Sequence, residues 1–143
     1  MRAARIGRWL ALLLLAAAAA AQFAQRPGMS YERENPPNLA RLDVRRIRGK
    51  VVDRMHTAVP GVALGLYTET APHKLLALGT SDTQGNFDFG KKIAAGNYRL
   101  IAKYPGLCTA NIPLQVNPHG SGKKIILHMQ YPGLGFCSFA LLH

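Results

Sequence analysis

Acid is what this chain has least of: seven Asp and Glu stand against 18 Lys and Arg, a formal net charge of +11 with the histidines neutral. Such an imbalance favours anionic partners such as acidic polysaccharide, lipid headgroups or nucleic acid, although charge alone speaks to solubility and non-specific attraction. Cysteine is nearly absent, with Cys108 and Cys137 the only two, too few to replace a hydrophobic core with a disulfide framework. Tryptophan occurs once, at Trp9, and aromatics make up 8% of the residues. A flat platform for stacking sugar rings is hard to assemble from that supply. No histidine is followed by Glu three residues on, so the His-Glu pair that opens a metallocarboxypeptidase zinc site is missing. Gly120-Ser121-Gly122-Lys123-Lys124 lacks both the first glycine and the closing hydroxyl residue of a phosphate-binding loop. Ser121 precedes no helical pattern and so forms no nucleophile elbow. No catalytic residue, metal ligand or cofactor site is predicted.

Long apolar runs are also missing, apart from one at the start. Arg2, Arg5 and Arg8 precede an apolar stretch from Leu10 to Ala21, and Ala19 and Ala21 supply the small side chains a signal peptidase accepts. The expectation is a signal peptide over 1–21 and a mature chain from Gln22. The alternative is a retained anchor, for which a run of about a dozen residues is short against the roughly 20 that span a bilayer. Cleavage removes three arginines and leaves a net charge of +8. The protein is then expected to be secreted, periplasmic or held in the cell envelope, with no membrane span in the mature form. Export makes nucleic acid the least apt anionic partner. It also favours a Cys108–Cys137 disulfide over two buried thiols.

Residues 22–41, with Pro27, Gly28, Pro36 and Pro37, read as a flexible lead-in. Beyond them, short β-rich runs recur between Gly, Pro, Asn and Asp clusters, and no segment sustains a helical period for three turns. Over 42–130 this pattern predicts an all-β fold, a seven-stranded antiparallel sandwich of Ig-like or transthyretin-like shape. The first run, Val44 to Asp53, sets Ile47, Gly49 and Val51 on one face and Arg46, Arg48 and Lys50 on the other. Val62 to Tyr67 has apolar residues on both faces. Leu75 to Thr80 is followed by Ser81 to Asn86, read as a hairpin turn with Gly85 left-handed. Tyr98 to Tyr104 follows, and then Asn111 to Val116 with Ile112, Leu114 and Val116 inward. Pro113 there implies an edge strand or a bulge. Lys123 to Met129 directs Ile125, Leu127 and Met129 inward. The apolar tail, 131–143, is expected to pack as an eighth strand.

Three segments resemble the carboxypeptidase regulatory-like domain, a transthyretin-like sandwich family, over roughly Arg48 to Met129. They are Gly49-Lys50-Val51-Val52-Asp53 with Pro60-Gly61-Val62-Ala63-Leu64, then Ser81-Asp82-Thr83-Gln84-Gly85-Asn86-Phe87, then Ala95-Gly96-Asn97-Tyr98-Arg99-Leu100. Ser81 stands where the family usually has threonine, and the turn from Arg54 to Val59 lacks the family's usual glycine. The resemblance implies a non-catalytic accessory or adhesion-like module. The Tyr-Arg-Gly-Ser ending of the related urate-pathway hydrolase is replaced here by Phe139-Ala140-Leu141-Leu142-His143.

The functional candidate is the basic row Arg46, Arg48 and Lys50, with Arg41, Arg45 and Arg54 close in sequence. Such a row either meets an anionic partner or protects an exposed strand by charge. The expected function is a non-enzymatic binding or structural module of the cell envelope, with an envelope protein, an acidic polysaccharide or an anionic lipid surface as partner. The alternative is a carbohydrate-binding module of the starch-binding type.

Overall fold

The computed structural model describes Met29 and residues 40–90, 93–133 and 138–143. The signal-peptide segment, most of the lead-in and Cys137 lie outside the described residues. Among the described residues nine strands form: β1 Leu42–Val44, β2 Arg48–Val52, β3 Ala63–Thr68, β4 Leu75–Thr80, β5 Asn86–Asp88, β6 Gly96–Lys103, β7 Ala110–Val116, β8 Ile125–His128 and β9 Phe139–Leu142. They make two sheets, one ordered β1-β7-β6-β3-β4 and the other β5-β2-β8-β9. The tail thus contributes β9, paired antiparallel to β8. No described helix is long and apolar enough to cross a membrane.

The all-β sandwich matches the expectation, but its sheets are mixed rather than purely antiparallel. β1 pairs with β7, and β2 with β8, in parallel. A parallel pair needs a long crossover, and β3 and β4, lying in the opposite sheet between β2 and β8 in the chain, belong to it.

Three further expectations are corrected. The run from Val44 to Asp53 is two strands in different sheets, divided at a bend over Arg45 and Arg46. Val44 and Ile47 are both fully buried, and three residues apart they share a core only if the period-two alternation breaks between them. The Arg45 amide donates to the Ser121 carbonyl at 2.9 Å, and the Ile47 carbonyl accepts from the Phe89 amide at 3.0 Å. Likewise, Ser81 to Asn86 is no hairpin, because β4 and β5 belong to different sheets. The turn itself forms, with Gly85 at φ 79° and Asp82 Oδ1 accepting from the Gln84 and Asn86 amides at 2.9 and 2.8 Å. Buried Ser81 redirects the chain. Its Oγ accepts from the Val62 amide at 2.9 Å and donates to the Val59 carbonyl at 2.8 Å, fixing the exit of β4 to the segment before β3.

Pro113 is not on an edge strand, since β7 lies between β1 and β6, and no bulge interrupts its register with β6. The β1 ladder begins only at Leu114, so the missing proline N–H falls where β7 has no partner on that side.

The core fills the space between the sheets. Leu64, Leu66, Leu100, Ile112, Leu114 and Val116 face Ile47, Val51, Phe87, Ile125, Leu127 and Met129. The centre of the outer face of the five-stranded sheet is buried as well, with Ile101 fully so and Tyr67 nearly so. Tyr67 Oη donates to the Met29 carbonyl at 2.7 Å, which places that point of the lead-in on β3.

Candidate functional site

The outer face of the four-stranded sheet carries the predicted row. β2 and the two residues before it alternate: Ile47, Gly49 and Val51 are buried, while Arg46, Arg48 and Lys50 are partly exposed. Register sets Arg48 beside Asp88 and Lys50 beside Asn86 of β5. On the other flank Lys50 lies beside Ile126, and Val52 beside His128.

The three cations are not equivalent. Arg46 is held bidentately by Asp88, Nε to Oδ1 at 3.0 Å and Nη2 to Oδ2 at 2.5 Å. Burial pushes the Asp88 carboxyl up, but the Gly90 amide, Arg46 and Arg48 outweigh that and hold it below its ordinary range. Arg48 Nη2 donates to the Gly122 carbonyl at 3.3 Å, a bond that leaves its charge unneutralised. Lys50 has no ion-pair partner among the described residues. Arg48 and Lys124 line a cavity of about 330 Å³ together with Thr80, Asp82, Asn86 and Asp88. Cations and acids therefore share its wall.

Arg41, expected nearby, belongs to the other sheet. It grips Glu69 at 2.9 and 2.5 Å, and Arg99 Nε lies 3.8 Å from the same carboxylate. The bond from Arg41 holds Glu69 below the ordinary carboxylate range. Arg45 lines a second cavity of about 250 Å³ with Arg46, Ile47, Gly90, Ile93 and Val116. Arg54 stands exposed in the turn after β2.

Sequence reasoning missed two things on this face. Lys124 joins Arg48 only through the parallel register of β2 and β8, strands more than 70 residues apart. The histidines, read as scattered, include a pair that meets: the His128 ring stacks on Phe139 with centroids 4.7 Å apart, and His56 meets it edge-on at 5.4 Å. His56 sits at φ 62°, filling the left-handed position of the turn that lacks a glycine. That conformation costs a non-glycine residue about 1–2 kcal/mol. Asp53 builds the turn, its Oδ1 accepting from the Met55 and Thr57 amides at 2.8 and 2.9 Å.

Burial pushes His128 below the ordinary histidine range, and His56 pushes it the same way. The unfolded imidazole takes up its proton near pH 6.5, whereas the folded one does so only at lower pH. Between those two values the unfolded chain binds more protons, so stability increases with pH through the window and is lost on acidification below about pH 6.5. Thermal unfolding followed from about pH 7.5 to 5 is expected to show that loss. His128→Phe, which keeps a ring on Phe139 but cannot titrate, is expected to shrink it; an undiminished loss would assign the effect elsewhere.

Among the described residues no group of three or more His, Cys, Asp and Glu is placed to hold a metal ion. No family model matches the chain, and no curated protein matches it. Solved structures do. Sea bream transthyretin in complex with thyroxine is 19% identical over 68% of this chain and 96% of its own, with a TM-score of 0.49. A second Sparus aurata transthyretin structure gives 19% identity, 69% and 98% coverage and the same score of 0.49. A 3-chlorocatechol 1,2-dioxygenase from Rhodococcus opacus 1CP is 13% identical over 79% and 74%, with a TM-score of 0.34. The first two neighbours are transthyretin sandwiches. Likeness at this level brings neither ligand nor chemistry to this chain.

Proposed function

We propose that this chain is an exported, non-enzymatic module of the carboxypeptidase regulatory-like type, which works in the cell envelope and holds an anionic glycan on the outer face of its four-stranded sheet. The observation that carries the reading is the convergence of Arg48, Lys50 and Lys124 on one face, with Arg48 and Lys124 lining one cavity. A glycan carboxylate would meet these groups in place of water, and clustered cations act jointly where single surface charges contribute little. Arg46 contributes least, because Asp88 already holds it.

The test is retention on immobilised polygalacturonate, with amylose as the neutral comparison. Replacing Arg48, Lys50 and Lys124 together by Gln is expected to abolish retention at low salt, while Arg46→Gln leaves it nearly unchanged. Wild-type retention should weaken as salt is added, since exposed charges are screened over about 8 Å at physiological ionic strength. Preferential retention on amylose would favour the starch-binding alternative instead. Retention of the triple variant equal to wild type would leave the row as a charge-protected surface only.

Export rests on the three-part leader, and intact mass of protein from the envelope fraction should show a chain beginning near Gln22. Oxidation of Cys108 with Cys137 is part of the same reading. Ser138, next in the chain to Cys137, donates from Oγ to the Cys108 carbonyl at 2.7 Å and accepts from the Gln130 amide at 3.0 Å. The Cys108 amide donates to the Gln130 carbonyl at 2.7 Å. Non-reducing peptide mapping is expected to find the two cysteines linked. Free alkylation of both in native, unreduced protein would rule the bond out.

A further inference from the structure

The five-stranded sheet ends at β4, and no described strand pairs with the outer edge of β4. Edge strands are normally guarded by charge, proline or shortness, because unpaired backbone groups template pairing with another chain. β4 has six residues, Leu75-Leu76-Ala77-Leu78-Gly79-Thr80, with neither charge nor proline. Leu75, Leu76 and Leu78 are 38%, 47% and 49% exposed. The other edges differ: β1 and β5 have three residues each and both contain an aspartate, and β9 has four. The one protective feature of β4 is a register shift against β3, where Tyr67 pairs with Leu75 but Leu66 with Ala77, leaving Leu76 as the extra residue. The segment from Ala77 to Thr80 stays regular.

We infer that β4 is a self-association edge, on which a second copy of this chain pairs antiparallel, β4 to β4, about a two-fold axis at Leu78. Charge selects that occupant. Exposed Lys74 stands immediately before the strand and exposed Asp82 just beyond its end. Pairing about Leu78 sets Leu76 beside Thr80 of the second copy and brings Lys74 to the end where Asp82 of the second copy lies. Two-fold symmetry repeats this contact, so a self-complementary patch closes on itself. The chain is strongly basic overall, which opposes approach of two copies through most faces. Lys74 at one end of this edge and Asp82 at the other give charges of opposite sign, which the two-fold arrangement sets together. Leu78 meets its own mate across the axis, and the two exposed apolar patches cover each other.

The test is sedimentation equilibrium of the mature, full-length chain over a concentration series. Wild type is expected to be dimeric at micromolar concentration. Leu78→Lys sets two like charges opposite each other and is expected to weaken the dimer by about tenfold or more, as is Leu78→Glu. An equimolar mixture of the two variants should recover the dimer mass, because each axis then pairs Lys with Glu. Leu78 is half-exposed, so both variants should keep the wild-type circular dichroism. Lys74→Glu, placed before the strand and fully outside the core, provides an independent variant that should also dissociate the dimer. A wild type that stays monomeric throughout the series, a Leu78→Lys protein that remains dimeric, or a mixture that stays monomeric would each overturn the inference.

Discussion

Gly49→Ala is expected to reduce the unfolding free energy by about 3 kcal/mol, the upper end of what overpacking a well-filled core costs. Gly49 lies in β2 between β5 and β8, paired with Phe87 on one side and Ile125 on the other. A Cβ there would stand 1.9 Å from the Ile125 carbonyl oxygen and 2.9 Å from Phe87 Cζ. The contact with Phe87 is to the far end of a side chain, but the carbonyl is backbone and belongs to the parallel ladder. Relief therefore requires β2 and β8 to separate, which strains the ladder that unites the sheet. Gly122→Ala is the matched control: its Cβ would meet nothing within 4 Å, and a surface change of this kind moves stability by about 0.5 kcal/mol or less. Denaturant midpoints of the two variants measure the difference. Similar midpoints would contradict the parallel register of β2 and β8.

Ser81→Ala is expected to cost about 1–3 kcal/mol, the penalty for leaving a buried polar group unpaired. Ser81 is 4% exposed, and its hydroxyl connects two backbone groups that no strand serves, the Val62 amide and the Val59 carbonyl. Alanine removes both bonds at once. Ser81→Thr keeps the hydroxyl and is expected to lose less stability than Ser81→Ala, since both hydrogen bonds survive. The same comparison explains why a serine can stand where the resembling family has threonine: the hydroxyl, not the methyl, joins the two segments. A Ser81→Ala protein as stable as wild type would show that water replaces the hydroxyl and that the exit of β4 is held by other contacts.

Strands whose inward residues alternate cleanly were legible from sequence. β7 directs Ile112, Leu114 and Val116 to the core, and β8 directs Ile125 and Leu127 there with Met129 just beyond. Alternation is a local property, so it survives without knowledge of the partner strand. Pairing is not local. The parallel ladders join segments far apart in the chain, and the choice is made by which apolar faces close one core. The corner at Arg45 and Arg46 did leave a sign, because Val44 shares its parity with Arg46, Arg48 and Lys50 and not with Ile47. Reading the run as one strand passed over that change.

The candidate site was half legible for the same reason. Period two placed Arg46, Arg48 and Lys50 on one face, and the structure keeps them there. What each cation does depends on neighbours supplied by other strands: Asp88 from β5 for Arg46, and the Gly122 carbonyl and Lys124 near the start of β8 for Arg48. The His56–His128 contact was hidden more deeply. It requires a histidine in a left-handed turn where glycine is usual, and residue type alone does not reveal that conformation.

The glycan-binding account is tested most directly by amide chemical shifts of the mature protein, recorded while oligogalacturonate is added at low salt. The account predicts that the largest changes fall on Arg48, Lys50 and the segment from Gly122 to Ile126, with Arg46 moving less and the five-stranded sheet unaffected apart from Thr80, which borders the cavity. No change at saturating oligosaccharide would contradict it, as would changes centred on the exposed tyrosines Tyr104 and Tyr131 at the two Tyr-Pro-Gly turns.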